Sequence, residues 1–176
     1  METKNYVISF VLLLLLVPGL AQEPSRKAQR AKNKIEKEQL IDTLINSKTF
    51  VFIATRALPQ GSGSVDLTTN SNSIEFYPEK IKSYMPFFGR AYSIEYGGDG
   101  GIKFDGKPEE FKVTPLKRGK GFEVNASVSV TRDRYKLTLF ISPVGSATLT
   151  ITSNQRSTIS YYGDIVKHEV KGENKE

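Results

Sequence analysis

Few residues in this chain could carry acid–base, nucleophilic or metal chemistry. There is no cysteine, which removes thiol catalysis and cysteine-ligated metal. The one histidine, His168, stands beside a charged C-terminal stretch and reads as an exposed surface residue. A carboxylate pair for glycoside hydrolysis would have to come from Glu75, Glu95, Glu109, Glu110, Glu123 and Asp133. Most of these fall at positions that alternate outward from an apolar face. The residue types therefore predict no catalytic residue, no metal site and no cofactor.

Binding signals are also sparse. Gly97-Gly98-Asp99-Gly100-Gly101 offers one oxygen ligand, Asp99, and no helix follows it. A calcium loop needs several spaced oxygens and a phosphate loop needs a helix N-terminus, so this stretch reads as a hairpin loop. Lys117-Arg118-Gly119-Lys120 reads as a solvated basic turn. Asn125-Ala126-Ser127 fits a glycosylation sequon but lies in mid-strand. The segment that stands out is Tyr84, Met85, Pro86, Phe87, Phe88, Gly89 and Arg90. Its aromatic side chains carry large apolar areas without any regular period. Such a cluster either closes a core as a plug or forms a sticky lip that binds a partner. The plug is the favoured reading, and these seven residues are the candidate binding residues.

The elements that must position them divide the chain. Residues 1–21 have the anatomy of a secretory signal peptide: Lys4, an apolar run from Val7 to Val17, then Pro18 and the small residues Gly19 and Ala21. The run is too short for a membrane span, which needs roughly 20 residues, and no later stretch approaches that length. Residues 22–34 form a basic, flexible segment, either the solvated start of a helix or disordered. A helix is expected up to about Ser47, with Leu40, Ile41, Leu44 and Ile45 on one face. After Lys48 the period changes to two. Phe122, Val124, Ala126, Val128 and Val130 alternate with polar residues, as do Tyr135 to Ile141 and Ala147 to Ile151. With turns every ten to twelve residues, this pattern is that of an antiparallel meander. Nine or ten strands, forming a barrel-like or strongly curved sheet with one N-terminal helix, make a mainly β single domain over residues 35–168. Residues 58–64 read as a loop, residues 78–90 as irregular, Ala91 to Tyr96 as a strand, and residues 169–176 as a disordered tail.

The net charge of +6 and the isoelectric point near 9.4 favour anionic partners. Export makes nucleic acid an unsuitable one. Six cations, Arg26, Lys27, Arg30, Lys32, Lys34 and Lys37, stand ahead of the β region.

Three stretches carry a family resemblance. Ser83-Tyr84-Met85-Pro86-Phe87-Phe88-Gly89-Arg90-Ala91, Gly145-Ser146-Ala147-Thr148-Leu149-Thr150-Ile151 and Ile159-Ser160-Tyr161-Tyr162-Gly163 resemble motifs of an uncharacterised bacterial family, domain of unknown function 4251. The resemblance implies an exported protein of the Gram-negative envelope, periplasmic or associated with the outer envelope. It transfers no catalytic residue. The expected function is a non-catalytic binding or interaction module, with a small apolar ligand or an envelope protein as partner. Two alternatives stand behind it. One is an envelope structural or assembly factor that meets anionic lipid through the basic helix. The other is a carboxylate-dependent hydrolase.

Overall fold

The computed structural model describes residues 25–61, 63–69, 72–92, 100–130 and 133–168. The stretches assigned to the signal peptide and to the tail, and most of the expected strand after Ala91, lie outside the described residues. The chain resolves into two compact units, Met1–Lys32 and Asn33–Glu176. Of the first, Ser25–Lys32 is described, and Arg26 onward is helical.

Helix α1 spans Arg26–Asn46. It includes residues 26–34 of the basic segment, which are helix here. Only Ile41, Leu44 and Ile45 are buried. Leu40, expected on the same face, is exposed, as is Ile35. The helix stops where Lys48 takes left-handed backbone (φ 54°) and Ser47 Oγ donates to the Leu44 carbonyl at 2.9 Å.

Ten strands follow: β1 (Phe50–Pro59), β2 (Val65–Asp66), β3 (Ser73–Tyr77), β4 (Lys80–Met85), β5 (Ile102–Gly106), β6 (Pro108–Pro115), β7 (Phe122–Val130), β8 (Asp133–Ile141), β9 (Ser146–Ser153) and β10 (Ile159–Val166). They form one antiparallel sheet in the order β5-β4-β3-β1-β10-β9-β8-β7-β6, with β2 paired to β1. The two ends of this order, β5 and β6, are consecutive strands separated by Lys107 alone. The sheet is therefore a nearly closed barrel, drawn shut by one kinked stretch of chain. Its first half pairs with β4 and its second half with β7. Inward side chains fill the interior. Phe50 stacks on Phe76 at 4.6 Å between centroids, and Phe104 on Tyr135 at 4.8 Å.

Two stretches differ from expectation. Residues 80–85, read as irregular, are β4, with Ile81, Ser83 and Met85 inward. The inward serine hides the alternation; its hydroxyl is satisfied by the Ile102 carbonyl at 2.9 Å. Leu58 and Pro59, read as loop, complete β1. Proline is tolerated at the end of a strand.

A bulge between Ala54 and Arg56 shifts the register of β1 against β10. Beside it Gly163 faces Ala54, and a Cβ there would overlap the Ile53 carbonyl oxygen. Gly163→Ala is expected to cost about 1–3 kcal/mol, as overpacking typically does. Urea unfolding monitored by circular dichroism checks this; an unchanged midpoint would show that the strands can part at no cost.

Candidate functional site

The strand registers place the two ends of the barrel. Helix α1, the β8–β9 turn and the β6–β7 turn lie at one end. Residues 86–92, the start of β5 and the β9–β10 turn lie at the other. At the first end Ile41 rests on Gly145, whose carbonyl accepts from the Ile165 amide at 2.8 Å. At the second end, the aromatic segment crosses the barrel as a strap.

Each candidate binding residue has a definite place in that strap. Met85 ends β4 pointing inward, 1% exposed. The Pro86 carbonyl accepts the Tyr161 hydroxyl at 2.6 Å. Phe87 packs on the core, under the guanidinium of Arg156 at 5.2 Å from the ring centroid. Gly89 has no room for a side chain, because a Cβ would strike Ser157 Oγ and the Phe87 ring. Arg90 is exposed, and its backbone is pinned. Its amide donates to Ser157 Oγ at 3.1 Å, and its carbonyl accepts from the Ser157 amide at 2.9 Å. Tyr84 and Phe88 face outward, 52% and 42% exposed. Lys103 Nζ lies 4.3 Å from the centre of the Tyr84 ring. Met85 and Phe87 thus close the core, while Tyr84 and Phe88 leave aromatic surface exposed.

Four residues of this end went unread in the sequence. Tyr92 is exposed, at 72%, and its amide donates to the Gln155 carbonyl at 2.8 Å. Arg156 donates to the Gly100 carbonyl. Tyr161 and Ser157 receive the strap. They lie in or near the β9–β10 turn, about 70 residues from the strap in sequence, and no local pattern marks such a pairing.

The phenols beneath the strap are shifted. Burial pushes Tyr135 up to about 12; Asp133 adds to the rise, while Arg156 opposes it. Burial likewise raises Tyr161, again against Arg156.

The acids proposed for hydrolysis do not converge. Glu75 accepts from the Tyr77 hydroxyl at 3.4 Å, Glu109 pairs with Arg134 at 2.8 Å, and Glu123 accepts from Asn125 at 2.8 Å. Asp133 is held by Ser153 Oγ at 2.6 Å and Glu110 is exposed; Glu95 lies outside the described residues. A groove of about 610 Å³ lies at the helix end, lined among others by Glu38, Asp42, Leu116, Phe122 and Pro143. Its two acids stand one helical turn apart, and Lys34 is 3.8 Å from Glu38. Among the described residues no group of three or more His, Cys, Asp or Glu could hold a metal ion. His168 is not the exposed residue expected. It is half-buried and stacked on Tyr77 at 4.3 Å, with Nδ1 3.1 Å from the Tyr77 hydroxyl. Tyr77 is thereby covered, and burial raises its pKa as well.

The fold and site define a small, helix-capped, nearly closed antiparallel barrel with a strapped end. A family model, domain of unknown function DUF4251, matches residues 32–165, and the chain belongs to that family. The crystal structure of a DUF4251 family protein from Bacteroides eggerthii is similar. The two superpose with a TM-score of 0.60 at 18% identity, over 75% of this chain and 88% of that one. No curated protein matches the chain.

Tyr135 and Tyr161 must lose their protons on alkaline unfolding. Their pKa values in the fold lie above the ordinary value of 10. Their contribution to stability is therefore whole below pH 10 and falls as pH rises toward about 12. Tyrosinate absorbance and circular dichroism should change together in that window. Ionisation of every tyrosine with a midpoint at pH 10 while the sheet signal stays intact would contradict it.

Proposed function

We propose that this domain is a non-catalytic, exported interaction module whose contact surface is the lip of the strap, Tyr84, Phe88 and Tyr92. The observation that carries the reading is the exposure of three aromatic rings on a segment whose neighbours are buried and pinned. Aromatic side chains give large contact area at low entropic cost and are enriched where proteins bind. A strap held by backbone hydrogen bonds presents them pre-ordered. The packed interior favours an envelope protein over a small apolar ligand as partner. The described acids, spread over separate partners or exposed, favour binding over hydrolysis. The apolar run from Val7 to Val17, with its small residues up to Ala21, supports export to the periplasm or outer envelope of a Gram-negative cell.

Cross-linking in intact cells tests this. The wild-type chain should be recovered from the envelope fraction, starting at Gln22, joined to a specific partner. The variant Tyr84→Ser/Phe88→Ser/Tyr92→Ser should lose that partner while remaining folded. Recovery of the same set of products by both chains would overturn the reading.

A second contact is proposed for helix α1. Its residues from Arg26 to Lys37 are exposed and carry Arg26, Lys27, Arg30, Lys34 and Lys37, which suits an anionic lipid surface. Arg26→Gln/Arg30→Gln/Lys34→Gln/Lys37→Gln should weaken binding to phosphatidylglycerol vesicles at least tenfold. It should leave the weaker background on phosphatidylcholine unchanged. Equal binding by both chains to anionic vesicles would sink this contact.

A further inference from the structure

The outward face of β1 and β10 carries a pattern separate from the strap. Outward strand positions are normally polar on a sheet whose other face is core, yet Ile53 and Tyr162 stand there 41% and 47% exposed. The bulge in β1 makes this arrangement possible. It leaves both Ile53 and Arg56 exposed although they are three residues apart, with Ala54 and Ala57 buried. Across the strand pair, Ile53 faces Asp164 and Arg56 faces Tyr162. Both charged residues are exposed. Asp164 accepts from Ser146 Oγ at 3.1 Å. Arg56 stands opposite Asp66 on β2 without closing an ion pair among the described residues.

These four side chains form a block about 5 by 7 Å, set by the spacing of strands and of alternate residues. Its two apolar members occupy one diagonal, and its two opposite charges occupy the other. A two-fold axis lying in the sheet plane along the apolar diagonal keeps Ile53 and Tyr162 each in place. It carries Arg56 to within about 3 Å of the position of Asp164, and Asp164 likewise toward Arg56, a gap that a long guanidinium side chain spans. A second copy laid face to face about that axis therefore sets apolar on apolar at the centre. Arg56 of each copy then meets Asp164 of the other, on both sides. Self-complementarity of this kind is what an isologous interface requires, and the charges fix its register.

We propose that the β1–β10 face is a two-fold interface with a second copy of this chain. It is independent of the strap, which lies at the barrel's end, so either surface can fail without the other.

Charge reversal tests the axis. Sedimentation velocity over a concentration series should show wild-type protein in monomer–dimer exchange. Arg56→Glu and Asp164→Arg should each weaken self-association at least tenfold, because each places like charges opposite one another twice. Mixing the two variants should restore a dimer, now a heterodimer, because Glu at 56 then meets Arg at 164 and the remaining native pair is intact. Native mass spectrometry of mass-tagged chains identifies that species. Circular dichroism checks that each variant is folded, and Arg56→Gln replaces a reversal that is not, with the same direction of effect expected. The proposal is overturned if wild-type protein stays monomeric throughout. It is also overturned if the folded single variants dimerise like wild type, or if the mixture does not associate.

Discussion

A strand that is apolar on one face and polar on the other has to hide the first, and everything else in this structure follows from how that is done. The inward positions of nine strands supply a core with Phe50, Phe52, Phe76 and Tyr161 fully buried. A sheet of this length curls because strands twist, and curling brings its first and last strands near one another. Here those two are halves of one stretch, Ile102–Pro115, broken only at Lys107. Gly106 lies so close to Val128 that a side chain would collide with it. The absence of a Cβ there lets the chain leave β4 and reach β7 without opening the wall.

A closed wall still has two ends, and they are sealed by unlike means. The helix contributes three aliphatic side chains, Ile41, Leu44 and Ile45. The strap contributes Met85 and Phe87, with hydrogen bonds to residues 155–161. The helix end has surplus length, exposed from Arg26 to Lys37. The strap end has surplus aromatic surface. Each end therefore closes the core with one part of an element and leaves the other part exposed. A single segment can in this way close the core and still expose aromatic surface.

Much of this could be read in the sequence. Strict alternation from Phe122 to Ile151 announced an antiparallel meander, because half-buried strands need period two. The helix end was marked by Asn46-Ser47 and the loss of a 3.6-residue period. What stayed hidden depended on contacts distant in sequence or on exceptions to the pattern. An inward Ser83, satisfied by the carbonyl of Ile102, disguised β4. The place of His168 depended on Tyr77, 91 residues away. The aromatic strap could be noticed from composition alone, but which of its rings point inward is decided by Tyr161, Arg156 and Ser157. The acids of the groove, Glu38 and Asp42, are ordinary helix-surface residues until the β6–β7 turn is brought beside them.

One detail of the helix stop reaches further than its size suggests. Strand β6 pairs with β7 on one side only, and an unpaired edge is a template for joining other chains. Pro108 and Pro115 bound it, and Glu109, Glu110 and Lys112 lie along it. Lys48, the left-handed residue that ends α1, reaches over to donate its ammonium to the Phe111 carbonyl at 2.8 Å and lies over the Phe111 ring. The residue that ends the helix also covers an unpaired margin of the sheet. The cover on that edge thus depends on the order of a turn some sixty residues upstream.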